Sequence, residues 1–103
     1  MKYFVQLRPH PFASQRDDDS LALDKEIIAY IAGLQQQGAL EVGYTFVTGG
    51  GFGVLNVASH EELWEIIYNY PGTTSFQWQV EPLADVAQVF NRAIEIQEQE
   101  ANK

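Results

Sequence analysis

Polar and apolar positions along this chain alternate, then cycle with a helical period, then repeat both patterns. Lys2 to Arg8 is β-prone and bounded by Pro9, which predicts a first strand. From Ser20 to Gln37 the apolar residues Leu23, Ile27, Ile28, Tyr30, Ile31 and Leu34 recur at helical spacing. Gly38 is the expected stop, because the residue past a helix end often takes positive φ. Asp24 is expected among acidic residues of the first turn, complementing the helix dipole. Leu40 to Val47 and Phe52 to Ala58 are two β-prone runs around Thr48-Gly49-Gly50-Gly51, the pattern of an antiparallel hairpin. Ser59-His60-Glu61-Glu62 has the spacing of a capping box, in which the serine caps and Glu62 reaches back to the serine amide. The helix so opened presents Leu63, Ile66, Ile67 and Tyr70 on one face and ends at Pro71-Gly72. Phe76 to Glu81 alternates cleanly, and Leu83 to Glu100 has helical spacing at Val86, Val89, Phe90, Ala93 and Ile94.

The order β-α-β-β-α-β plus a terminal helix is the split βαβ, ferredoxin-like pattern of an α+β domain. It predicts a four-stranded antiparallel sheet with both crossover helices on one face. Residues 1–103 make one domain, with residues 83–100 as an appended helix and Pro9 to Asp19 as a connecting loop. The sheet face away from the helices includes Phe4, Phe52 and Val54, too apolar for a solvated surface. Two sheets packed face to face would cover it, and a symmetric homodimer is the commonest way to do so. The terminal helix carries an apolar face that six elements do not need, and is expected to pack across a neighbouring subunit in a dimer or higher homo-oligomer.

Composition then removes several functions. Six basic residues against fourteen acidic ones give a formal charge of -8, and the cations Lys2, Arg8, Arg16, Lys25, Arg92 and Lys103 are scattered. Binding to nucleic acid or anionic membranes needs clustered cations, so neither is expected as a partner. There is no cysteine, which removes disulfides, thiolate nucleophiles and thiolate metal sites. The start of the chain lacks the long apolar run of a signal peptide and no stretch reaches membrane-spanning length, so the expected location is cytoplasmic. Asp17-Asp18-Asp19 are adjacent and cannot all turn toward one cation, and His10 and His60 are not in a pair spacing. No metal and no cofactor is expected. Gly49-Gly50-Gly51 joins two strands and so is a turn, not a phosphate loop. His60, inside the capping box, is expected to be solvated.

The candidate chemistry lies in a polar stripe. If Phe76, Trp78 and Val80 face the helices, Gln77, Gln79 and Glu81 point to the other face, where the same alternation places Gln6 and Asn56. Amides among aromatic side chains suit a small polar or carboxylate ligand. Arg8 and His10 follow the first strand: an arginine could hold a carboxylate, and a histidine could move protons near neutral pH. The ligand-binding candidates are therefore Gln6, Arg8, Asn56, Gln77, Gln79 and Glu81. The alternative is that these amides bond across a dimer interface or face water.

Val57-Ala58-Ser59-His60-Glu61-Glu62-Leu63, Tyr70-Pro71 and Val80-Glu81-Pro82-Leu83 together resemble the muconolactone isomerase-like family of dimeric α+β barrels. The resemblance covers roughly Lys2 to Leu83. The YciI-like branch of the same barrels fits less well: its late aspartate-proline step is replaced by Tyr70-Pro71. The family implies a barrel of two subunits with a pocket between sheet and helices, and a proton shift in an unsaturated lactone. It also implies basic side chains where this chain has Phe4 and Gln6, and an acid where it has Asn56. An amide or phenyl group cannot act as a general base, so Glu81 and His10 are the remaining catalytic candidates. Three readings stand together: a small-molecule-binding protein of this group, an isomerase or lyase acting on a small unsaturated carboxylate or lactone, and a structural or accessory oligomer.

Overall fold

A computed structural model of the chain describes residues 1–11 and 20–102. The elements run β1 (Lys2–Pro9), α1 (Ser20–Gln36), β2 (Leu40–Thr45), β3 (Gly51–Asn56), α2 (His60–Tyr68), a short 3-10 turn (Thr73–Ser75), β4 (Phe76–Leu83) and α3 (Val86–Ala101). The sheet is four-stranded, in the order β2-β3-β1-β4, with every neighbouring pair antiparallel. This is the ferredoxin-like α+β arrangement with a C-terminal helix, as the pattern of apolar positions predicts. The aspartate run and most of the first loop, residues 12–19, lie outside the described residues.

The centre of the sheet fixes the faces. β1 pairs Val5 with Gly53 on one side and with Val80 on the other, and Gln6 with Phe52 and Gln79. Strand alternation then sends Tyr3, Val5, Leu55 and Val57 to the helix side, where they meet Leu63 of α2 in the buried core. Ile66, Ile67, Trp78 and Val80 pack around it. On the other side Phe4 stacks against Phe52 at 5.5 Å between centroids, and Tyr44 and Phe46 also reach the Phe52 ring, each at 5.7 Å. The face opposite the helices is thus aromatic, and none of the described helices covers it.

Several local expectations are corrected. Asp24 lies beyond the first turn of α1, which holds no acidic residue. β2 stops at Thr45, because Phe46 has already turned: its amide bonds the Gly50 carbonyl at 2.8 Å across the hairpin tip. Ser59 Oγ does accept the Glu62 amide at 3.1 Å, but Glu62 reaches one residue further back, to the Ala58 amide at 2.7 Å. His60 is exposed yet not simply solvated, since its Nδ1 is hydrogen-bonded to the hydroxyl of buried Tyr3. β2 also carries a bulge between Leu40, which opposes Leu55, and Val42, which opposes Val54. The extra residue, Glu41, reaches Lys2 at 3.2 Å and the Asn56 amide at 3.3 Å.

Two glycines differ in what they require. Gly50 at the hairpin tip has φ of +78°, and an added Cβ would overlap the Leu7 carbonyl of β1. Gly33, inside α1, has open space around the position of a Cβ. Gly50→Ala is expected to destabilise the fold by about 1–3 kcal/mol. Gly33→Ala should stabilise it by about 0.5–1 kcal/mol through helix propensity. Urea denaturation of the two variants beside the native chain checks both signs.

Candidate functional site

A concavity of about 560 Å³ lies on the helix side of the sheet, under α1 and α2. Its floor exists because three helix-facing strand positions have no side chain. Gly43 opposes Gly53 across β2 and β3, and Gly51 follows two residues before Gly53 on the same face. A Cβ at Gly51 would lie 2.5 Å from the Tyr44 carbonyl oxygen of β2, so the close strand packing requires glycine there, while one at Gly53 would press on the Leu40 side chain at 2.8 Å. The walls are apolar: Ile27, Ile31 and Leu34 from α1, Ile66 and Ile67 from α2. Such residues at helical spacing would ordinarily close onto bulky strand residues; over glycines they flank a half-open space instead.

Aromatic residues form one end of the cavity. Tyr70 packs its ring edge-on against Tyr30 (5.8 Å), Phe76 (5.8 Å) and Trp78 (5.1 Å). The Trp78 indole donates to the Thr73 carbonyl at 3.0 Å and the Tyr30 hydroxyl to the Ile66 carbonyl at 2.7 Å, so both donors are used internally. The Tyr70 hydroxyl makes no hydrogen bond to any described residue. Burial raises the Tyr70 and Tyr30 phenols above the ordinary tyrosine range, which keeps both protonated at neutral pH. Tyr70 is therefore a neutral donor beside an apolar cavity. Asp24 is the one carboxylate among the described residues that line it.

The polar stripe is on the opposite face of the sheet. Gln6 pairs with Gln79 in register, and their amides meet at 3.5 Å; Arg8 pairs with Gln77. Together with Trp78 these four line an open depression of about 330 Å³. The Arg8 guanidinium sits 4.3 Å above the Phe46 ring. Glu81 opposes Phe4 further along β4 and is exposed. Asn56 opposes Lys2, four residues along β1 from Gln6 and so roughly 13 Å away. The structure thus brings Gln6, Arg8, Gln77 and Gln79 together and leaves Asn56 at the other end with Lys2 and Glu41. His10 is anchored by its amide to the Ser75 carbonyl at 2.8 Å and is not among the residues of either concavity. The described residues include no group of three or more His, Asp or Glu arranged to hold a metal ion. No helix among them is long and apolar enough to cross a membrane.

Strand alternation along the sequence reaches the stripe, whereas the pocket between sheet and helices is implied only by the family resemblance, with none of its lining residues named. Its signal was present in the helix-facing glycines Gly43, Gly51 and Gly53, which break two strands whose other residues are β-prone.

The raised phenols have a consequence for stability. A group whose folded pKa exceeds its unfolded value stabilises the fold below the unfolded pKa, and that contribution is lost as pH rises through the folded one. The fold is expected to lose stability as pH climbs past about 10, the ordinary tyrosine value. Tyr70→Phe should reduce that loss, read as a flatter dependence of the urea midpoint on pH between about 9 and 11.

No protein-family model matches the sequence, and no curated protein matches it. Solved structures do match by fold. A crystal structure of muconolactone isomerase superposes with a TM-score of 0.73 at 17% identity, covering 82% of this chain and 90% of that one. The 5-chloro-2-hydroxyhydroquinone dehydrochlorinase of Burkholderia phenoliruptrix, in complex with 2,5-dihydroxybenzoquinone, superposes with a TM-score of 0.63 at 16% identity, covering 85% of this chain and 98% of that one. The chain has the muconolactone isomerase-like fold.

Proposed function

We propose that this protein binds a small, flat, largely apolar ring compound in the cavity between sheet and helices. The observation that carries the proposal is the cavity itself: about 560 Å³, floored by glycines and walled by isoleucines. That volume lies in the ordinary range for small-molecule pockets, roughly 300–1,000 Å³. An apolar wall with one neutral phenolic donor suits a ring bearing a carbonyl, hydroxyl or lactone oxygen rather than a fully charged ligand, whose desolvation nothing there would offset. The fold neighbours support the class: one is muconolactone isomerase, and the other was solved with a dihydroxybenzoquinone.

The protein acts as a homodimer in the cytoplasm in this reading, with the aromatic sheet face covered by a second copy. The Gln6–Arg8–Gln77–Gln79 stripe is then part of that covered face, where its amides find partners. A catalytic version of the reading has a specific candidate. A double-bond shift needs a base near the ring, and Asp24 is the carboxylate that lines the cavity, whereas Glu81 and His10 do not. Turnover of an unsaturated lactone that is lost in Asp24→Asn, with binding retained, would support it.

The test is a thermal-shift series with 2,5-dihydroxybenzoquinone, simple phenols and unsaturated lactones. A ligand at about 100 times its dissociation constant stabilises the fold by about 2.7 kcal/mol. Tyr70→Phe should weaken binding by about 0.5–1.5 kcal/mol, the net worth of one neutral hydrogen bond. Ile31→Trp should block it by filling the cavity, and Gln79→Ala, on the other side of the sheet, should leave it unchanged. Binding lost in Arg8→Ala or Gln79→Ala but intact in Ile31→Trp would move the site to the polar stripe. No shift with any compound would favour a structural oligomer.

A further inference from the structure

The outer face of α2 carries two large rings where a solvated helix face is ordinarily polar. Leu63, Ile66 and Ile67 turn toward the sheet and the core. At about 100° per residue, Glu61, Trp64, Glu65 and Tyr68 fall within an arc of about 100° opposite them. Trp64 and Tyr68 expose 61% and 63% of their surface. Their rings stack on each other, with 4.9 Å between centroids and 16° between planes. Among the described residues no cation lies over this pair, and neither the Trp64 indole nor the Tyr68 hydroxyl is hydrogen-bonded.

Two carboxylates flank the rings. Glu61 and Glu65 are exposed on the same face, and neither is ion-paired among the described residues. Glu61 lies in the first turn, where a negative charge suits the helix dipole. Glu65 lies a turn later, beyond that effect, and forms with Glu61 an i,i+4 pair of like charges, which weakens a helix. Their neighbour Glu62 differs, because its carboxylate accepts from the Ala58 amide at 2.7 Å. A cation on this face would be held twice, by the carboxylates and by the negative faces of the rings.

Charge decides the occupant. A neutral apolar partner would desolvate the carboxylates with no counter-charge, and nucleic acid or an anionic membrane would be repelled. A second copy is a poor source of the cation. The chain has a formal charge of -8, and Lys2, Arg8 and Arg92 are engaged with Glu41, the Phe46 ring and Glu95. We propose that the outer face of α2 docks an arginine-bearing basic segment of another protein, a guanidinium lying over the exposed rings and donating to Glu61 and Glu65. Arginine suits the face better than lysine, since only a planar guanidinium stacks on a ring while making paired bonds to a carboxylate. The face is separate from the cavity and from any ligand bound there.

The experiment titrates isotopically labelled full-length protein with an acetylated hexa-arginine peptide, and separately with hexa-lysine, by nuclear magnetic resonance. The Trp64 indole and the amides of α2 should shift, and hexa-arginine should bind more tightly than hexa-lysine. Shifts centred on another acidic surface, such as Glu95 and Glu98 of α3, or no shift at all, would overturn the proposal. Trp64→Ala/Tyr68→Ala keeps the charge and should weaken binding at least about tenfold. Glu61→Gln/Glu65→Gln should do the same, while Glu98→Gln/Glu100→Gln, an equal change of charge on α3, should leave affinity within about twofold. Affinity unchanged in Trp64→Ala/Tyr68→Ala, or lowered equally by both glutamine pairs, would mean plain attraction to an acidic protein and overturn the docking surface. An oligomeric state that changes in Trp64→Ala/Tyr68→Ala, read by sedimentation velocity, would make a second copy the occupant and overturn the basic partner. The four side chains are exposed, so the variants should keep the native melting temperature, and the resonance map of the native chain reads the site without any substitution.

Discussion

The alternation of side chains along β1 is the constraint from which the rest of this structure follows. β1 is flanked on both sides, so its register sets the facing of β3 and β4 at once. Tyr3 and Val5 go into the helix-side core; Phe4, Gln6 and Arg8 go to the other side. A shift of one residue would exchange those sets, burying a glutamine and an arginine and exposing the core. The Met1–Val57 bonds at the start of the chain, both 2.9 Å, extend the same ladder to its end.

That one constraint creates two surfaces of different chemistry. On the helix side, the glycines Gly43, Gly51 and Gly53 withhold the side chains that would complete a filled core, and a cavity remains. On the far side the sheet is aromatic at its centre and amide-lined toward β4. The two faces are therefore chemically independent: a substitution on one need not alter the other. Asn56, where the resemblance implies an acid, lies with Glu41 on the face opposite the helices and so does not line the cavity.

The likeness to muconolactone isomerase and to the dehydrochlorinase is one of fold, at 16–17% identity. Fold fixes where a pocket can be, and the residues in it decide its chemistry. Here those residues are isoleucines, a neutral tyrosine and one rim aspartate, a set richer in apolar surface than in charge.

Sequence by itself determined the element order, the sheet topology and the in-or-out facing of nearly every strand residue, because period-2 and period-3.6 patterns are written locally. It determined the Ser59 cap for the same reason, and the apolar face of the last helix. Only the tertiary structure decided which residues share a site. Gln6 meets Gln79 and Arg8 meets Gln77 through strand pairing across more than sixty positions of chain, while Asn56, on the same face, lies too far along β1 to join them. The cavity too was beyond local reading. It arises from glycines on two strands lying beneath the apolar faces of two helices, and a space between elements has no sequence of its own.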